Sequence, residues 1–431
     1  VMAKTSEQLF QTGDYSRAIE SSQRILQVAN PANTALQITA WTTLGHGYFE
    51  TGDYVKAEEA YRQSQQRMKT NNKLYAPTRE RLAASVYKQG EQQRAAGNMD
   101  AAVADFMRVK SIAPGSALST TAEYDAASVL ITQGSWAAAT STLEKLRLTL
   151  PASHELQKGV TEKLALTYMK TGQSLKGAQE MEQLSRSGND AEYQQEMLWQ
   201  AATLYQDGGK RQKAAGAYYD YLKRFPTRYE RGVEARYQLA EIYKASKQSR
   251  EQKRWLKEVI RAESSNPQAR TERTRFLAAQ ATLELAEPYR IAYSKVRLTA
   301  PLKKSLKQKK QLMQSTIAAY KQAMNYQVAE VATAATYRIG ELYRDFAQSL
   351  MKSERPRKLN AEELEQYELL LEEQAFPFEE KSIEIHASNV ARISDGIYDQ
   401  WVQNSLKVLA ELQPARYAKS EKADIYSAEI H

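Results

Sequence analysis

A turn residue that returns at a near-constant interval constrains this chain more than any other feature. The tetrapeptide TGDY occurs at Thr12–Tyr15 and again at Thr51–Tyr54. The same register places a turn at Gly13, Gly52, Gly97, Gly134, Gly172, Gly209 and Lys247, with spacings of 39, 45, 37, 38, 37 and 38 residues. A period of that size is the mark of stacked units, each too small to bury its own apolar face. A small residue stands at a fixed distance before each later turn: Gly45, Gly90, Ala127, Ala165, Ala202 and Ala240. A second stands after the turn: Ala18, Ala57, Ala102, Ala139 and Ala214. Small side chains at both places allow two antiparallel helices to cross closely. Pro114, Pro151 and Pro226 then close the second helix, because proline lacks an N–H and disfavours helix before it. The expected fold is an all-α, right-handed superhelical solenoid of stacked antiparallel helix pairs.

Around the second TGDY, the segment Trp41–Tyr61 carries Trp41, Leu44, Gly45, Tyr48, Ala57 and Tyr61 in the pattern W-x2-L-G-x2-Y…A-x3-F. Through these residues the chain resembles the tetratricopeptide repeat family. The family period is about 34 residues, so helices or connections here are expected to be slightly longer. About seven regular units are expected over residues 1–265, the first of them truncated. Residues 266–431 read as irregular helical repeats with insertions near 286–311 and 352–378. Arg275–Leu285 reads as a first helix cut by Pro288 and Pro301, and Leu312–Met324 as its delayed second helix. Ala332–Phe346 reads as another first helix, with Ile339, Gly340 and Tyr343 in family places. A long helix is expected from Ala361, interrupted around Pro377, with a last element in DGIYDQWVQNSLKVLAELQP. The opening residues read as mid-helix, so Val1 is expected to be a cut inside a longer protein. The polar tail from Ala415 is expected to be partly disordered.

The catalytic motifs are missing: there is no G-x-x-x-x-G-K-[ST], G-x-G-x-x-G, H-E-x-x-H or G-x-S-x-G. Cysteine is absent, which removes thiol nucleophiles and zinc-thiolate sites and leaves the redox compartment open. The four histidines, His46, His154, His386 and His431, are far apart in sequence. Glu384 and His386, two apart on a helix, do not face each other. A structural or surface role is expected for His386. No enzyme activity, metal or cofactor is expected. No apolar run approaches the ~20 residues that span a bilayer.

The family resemblance implies that first helices line a concave face where partners bind. The fifth position of each first helix carries Thr42, Tyr87, Tyr124, Glu162, Trp199, Tyr237 and Tyr337, five of the seven being Tyr or Trp. Such a row is either a binding ladder or packing between adjacent helices. The ninth position carries His46, Glu91, Ser128, Leu166, Thr203, Glu241 and Glu341. The twelfth carries Phe49, Arg94, Ile131, Met169, Gln206, Lys244 and Arg344. His46 on this face is either a ligand contact or a solvated side chain. Candidate partner-binding residues are therefore Tyr87, Tyr124, Trp199, Tyr237, Tyr337, His46, Glu91, Arg94, Glu241 and Lys244. The Lys, Asn and Arg set with which family members clamp a C-terminal carboxylate is missing.

Net charge is +9, which permits an acidic partner or describes a solvated basic surface. Lys303, Lys304, Lys307, Lys309 and Lys310 form a candidate patch for an anionic partner. No aromatic residue is interleaved there, so nucleic acid is not expected. The run is either solvated or offset by the glutamates of 362–380. The expected function is a scaffold or adaptor for a protein partner. The alternative is a polysaccharide or peptidoglycan binder that stacks sugars on the aromatic row beside Glu91, Glu241 and Glu341. The segment YELLLEEQAFPFEEKSIEIHASN resembles repeat proteins of the Gram-negative cell envelope that help TonB-like and gliding machines. That resemblance implies a periplasmic or envelope location, with the cytoplasm as the alternative.

Overall fold

The computed structural model describes residues 2–30, 33–188, 190–300, 302–357 and 359–418. Val1, Pro301, His431 and the tail from residue 419 lie outside them. Among the described residues there are helices and no strands. The chain divides into two compact units, 1–210 and 211–431, a division that falls within the regular part of the sequence.

Unit one holds α1 (Met2–Gln11), α2 (Tyr15–Val28), α3 (Thr34–Glu50), α4 (Tyr54–Gln66), α5 (Tyr75–Ala95) and α6 (Met99–Ile112). It continues with α7 (Ala117–Thr132), α8 (Trp136–Thr149), α9 (Leu156–Lys170), α10 (Ser174–Leu184) and α11 (Ala191–Asp207). Odd-numbered helices are the first members of pairs, and even-numbered helices are the second. The TGDY motif explains how each pair turns. Gly13 and Gly52 sit at φ +82°, a left-handed conformation that ends the first helix at no steric cost. Asp14 and Asp53 then cap the second, each accepting a hydrogen bond from a backbone N–H three residues on, Arg17 at 3.2 Å and Lys56 at 3.1 Å. Lys247 fills the same place in the second unit at φ 57°, where it bears the strain that glycine avoids. The prolines act as expected: α6 ends at Ile112 before Pro114, and α8 at Thr149 before Pro151.

The small residues are where close crossing needs them. Ala18, Ala57, Ala102, Ala127 and Ala139 are completely buried. A Cβ on Gly45 would lie 2.8 Å from the Tyr61 ring, and one on Gly90 would lie 2.8 Å from the Phe106 ring. Phe106, itself 0% exposed, joins Val86, Val109, Ala122 and Val129 in one core shared by α5, α6 and α7. Burial of a side chain of that size contributes ~1.5–3 kcal/mol. Successive second helices are tied by charge. Glu58 of α4 accepts from Arg108 of α6, and Arg147 of α8 donates to Glu180 of α10 at 2.5 Å.

Unit two holds α12 (Arg211–Arg224), α13 (Tyr229–Ala245), α14 (Ser249–Ser265), α15 (Glu272–Ser294) and α16 (Leu302–Met324). It ends with α17 (Ala329–Met351), α18 (Ala361–Val390), α19 (Gln400–Leu412) and the single turn α20 (Pro414–Tyr417). The proline of α12's far end, Pro226, follows its last residue by two. Two expectations are corrected here. Pro288 does not cut its helix: α15 runs through it to Ser294, and α16 starts at Leu302 rather than near residue 312. Pro377 likewise lies inside an unbroken α18. An interior proline costs about 3 kcal/mol of helix stability, and buried residues on both sides offset it. Ala286 and Tyr293 flank Pro288, and Ala375 and Ser382 flank Pro377. The expected insertion near 286–311 is thus mostly helix, and a core of Leu283, Tyr293, Met313, Tyr320, Ile339 and Phe346 holds α15, α16 and α17 together.

Candidate functional site

First helices touch the next first helix within each unit, α5 on α7 and, in unit two, α13 on α15, α15 on α17 and α17 on α19. Within each unit they form a layer, and that unit's inner sequence positions lie on it. The aromatic row is neither open ladder nor full core. Tyr87, Tyr124, Trp199, Tyr237 and Tyr337 are all half-buried.

In unit one, the Tyr87 hydroxyl donates to Asp125 of the next first helix at 2.6 Å. Its ring packs 5.3 Å from that of Phe106. Burial, and then the bond to Asp125, push its phenol pKa above the ordinary range. Tyr124 lies against α9, where a Cβ on Gly159 would come within 2.5 Å of its hydroxyl, and Lys163 stands 5.0 Å over its ring. From α11, Tyr193 donates back to Glu162 at 2.8 Å with Lys158 4.9 Å over its face. Trp199 lies half-buried on the same helix.

His46 is held inside the unit rather than solvated. Its Nδ1 is 2.7 Å from the Tyr61 hydroxyl, and its ring stacks on Phe10 at 5.3 Å. Burial, and secondarily the charge of Arg81, lower its pKa to about 4. Charged inner residues are largely paired with each other. Lys88 meets Glu91 at 2.6 Å, and Arg94 meets Glu91 at 4.0 Å. Among the described residues of unit one, the large apolar side chains that its first helices leave exposed are Leu166, 40% exposed, and Met169, 42% exposed, both on α9.

In unit two, Tyr237 donates to Glu284 at 3.2 Å, and burial followed by the Glu284 charge raises its pKa. Lys244 bridges Glu241 at 3.2 Å and Glu284 at 3.1 Å. Tyr337 meets the rings of His386 at 5.5 Å and Trp401 at 5.6 Å. Beside it lies a cavity of about 430 Å³ walled by Glu287, Arg290, Arg338, Glu341 and Trp401. His386 is completely buried, with Nδ1 3.2 Å from Ser405 and Nε2 3.5 Å from Glu341. Glu384 points elsewhere and pairs with Lys381 at 2.6 Å. Gly340 makes room for the imidazole: a Cβ there would lie 2.5 Å from Nε2.

The lysine run is corrected in one member. Lys303, Lys304, Lys307 and Lys310 are exposed on α16, but Lys309 is 3% exposed. Its ammonium lies 3.1 Å from Asp345, donates to the Val296 carbonyl at 3.3 Å, and stands 4.2 Å from the Tyr293 ring centre. Helical spacing turns residue 309 to the opposite side from its neighbours, onto α15 and α17. Among the described residues no three His, Asp or Glu side chains gather as a metal site requires, and no helix is long and apolar enough to cross a membrane.

Tetratricopeptide repeat models match residues 84–116 and 196–228 in one case, and residues 38–67 and 233–266 in another. No curated protein matches the chain. Among solved structures, it is similar to the C-terminal part of a TPR repeat-containing protein from Cytophaga hutchinsonii. The identity is 14% and the TM-score 0.29, over 61% of this chain and 96% of that one. A tetratricopeptide repeat protein from Parabacteroides merdae aligns at 14% identity and TM-score 0.27, over 63% and 98%. PilF of Pseudomonas aeruginosa aligns at 14% identity and TM-score 0.25, over 52% and 91%. At those scores none of the three bears on what this chain binds. Four matched segments, the glycine turns, the small-residue crossings and the stacked pairs agree that the chain carries tetratricopeptide repeats at residues 38–67, 84–116, 196–228 and 233–266.

Proposed function

We propose that the chain is a non-catalytic scaffold whose first-helix layer holds a largely uncharged segment of a protein partner. The tetratricopeptide-repeat fold is of the kind that serves protein interaction. The observation that carries the reading is the exposed pair Leu166 and Met169. With Glu162 they stand at i, i+4 and i+7 on α9, a single helical face, while Leu164, Ala165 and Tyr168 between them are buried. Apolar side chains left open on the partner-binding layer mark a contact surface. On the same helix Lys158 is paired with Glu162 at 3.9 Å, and Lys163 and Lys170 lie over the rings of Tyr124 and Trp136.

The polysaccharide or peptidoglycan reading is the weaker one. Sugars need open ring faces, and ammonium groups stand over Tyr124 and Tyr193. An envelope setting rests on the sequence of Tyr367–Asn389 and its likeness to envelope repeat proteins; recovery of the native protein in the cytosolic fraction alone would refute it. The binding reading is tested by panning a random peptide library on the chain. Enriched peptides are expected to be apolar-rich, and Leu166→Asp with Met169→Asp should weaken them at least about tenfold while leaving helix content unchanged. Full binding by that double variant would remove the site.

A further inference from the structure

A second candidate surface lies in unit two. Helices α17 and α18 have 23 and 30 residues, or about 35 and 45 Å at 1.5 Å per residue. The helix that packs next against this pair, α19, has only 13 residues, about 20 Å. It stops at Leu412, and among the described residues nothing covers the far end of the pair. A groove of about 390 Å³ lies there, floored by Ala347, Met351, Ala375, Phe376 and Leu412. Its α18 wall is Glu372, Ala375, Phe376 and Glu379, at the i, i+3, i+4, i+7 spacing of one helical ridge. Phe376 is 58% exposed, and further along α18 Leu369 is 56% and Leu370 50% exposed.

The α18 side of this groove is acidic, while its α17 side carries Lys352 and Arg344, the latter paired with Glu411. Residues 361–380 contain eight glutamates and no lysine or arginine, within a chain whose net charge is +9. Among the described residues, one of the eight has a recorded ion pair, Glu368 with Arg355 at 3.5 Å. The exposed lysines of α16 do not pair with them. An apolar floor beside the acidic α18 wall is complementary to one kind of occupant, a helix with one apolar and one basic face.

We propose that this groove docks a basic amphipathic helix of a protein partner. The docked helix would be about ten residues or longer and would continue the layer that α19 leaves short. Its apolar face would cover Phe376 and Met351, and its Lys or Arg residues would meet Glu372, Glu373 and Glu379.

The test uses the whole chain and a blocked, labelled Leu/Lys peptide of about 14 residues with leucines on one helical face. Its counterpart carries Glu in place of Lys. Fluorescence anisotropy should report binding of the Leu/Lys peptide and none of the Leu/Glu peptide. Leu370→Glu with Phe376→Glu, and separately Glu372→Lys with Glu373→Lys, should each weaken binding at least about tenfold, with circular dichroism unchanged. Removal of residues 419–431 should leave the affinity as it was. Equal binding of both peptides, or full binding by both variants, overturns the proposal. A gain of about tenfold or more on removing 419–431 would assign the groove to the chain's own tail. Self-association that Phe376→Glu abolishes would assign it to a second copy.

Discussion

Gly45 and His46 are neighbours on α3 and differ in how much of their role a sequence can reveal. Gly45 belongs to a recurring small position, so its close crossing is readable from the register alone. Gly45→Ala brings a methyl to 2.8 Å from the Tyr61 ring and should destabilise by about 1–3 kcal/mol, read as a lower melting temperature. His46 is legible as an inner-face residue, yet its partners Phe10 and Tyr61 come from α1 and α4, and pattern does not reveal such a contact. Its folded pKa of about 4 lies below the ordinary 6.5. Between those values the unfolded chain binds more protons than the folded one. The stability linked to His46 is therefore complete above about pH 6.5, falls as pH drops through the window, and is gone below about 4. The whole effect is at most about 3 kcal/mol. Denaturant melts across that window should show a shallower pH slope for His46→Phe than for the parent chain. Equal slopes would mean that the histidine is not desolvated.

At the scale of elements, regular helices follow their signals and irregular ones do not. The turn glycines fall between the two helices of a pair because that signal is local: Gly13, Gly52, Gly97, Gly134, Gly172 and Gly209 all take positive φ. Pro288 and Pro377 mislead because tertiary packing, which sequence does not display, outweighs the loss of one backbone bond. The same error makes residues 303–310 look like a solvated insertion. They are the first turns of α16, and Lys309 is buried against Tyr293 and Asp345. Lys309→Gln should therefore cost about 1–3 kcal/mol, since it removes a buried cation from its carbonyl, carboxylate and ring. The combined change of Lys303, Lys304, Lys307 and Lys310 to Gln should stay within about 0.5 kcal/mol per site, as exposed positions do. Chemical denaturation of the two proteins separates the buried lysine from the exposed ones.

For the whole molecule, the repeat register is the legible part, and it carries the fold class. The aromatic row was legible as a recurring position but not in its environment. Tyr87, Tyr124 and Tyr237 turn out to bridge neighbouring first helices, and among the described residues Leu166 and Met169 are the large apolar side chains that the first helices of unit one leave open. Nothing at the sequence level separates them from the buried residues beside them, because each unit's neighbours decide which inner position remains uncovered. The central claim is that the first-helix layer is where a partner segment binds. It is tested most directly by hydrogen–deuterium exchange of the chain with and without a peptide recovered from the library. The account predicts slowed exchange in α7, α9 and α11 and no change in α6, α8 and α10. Protection confined to the second helices, or none anywhere in unit one, would contradict it.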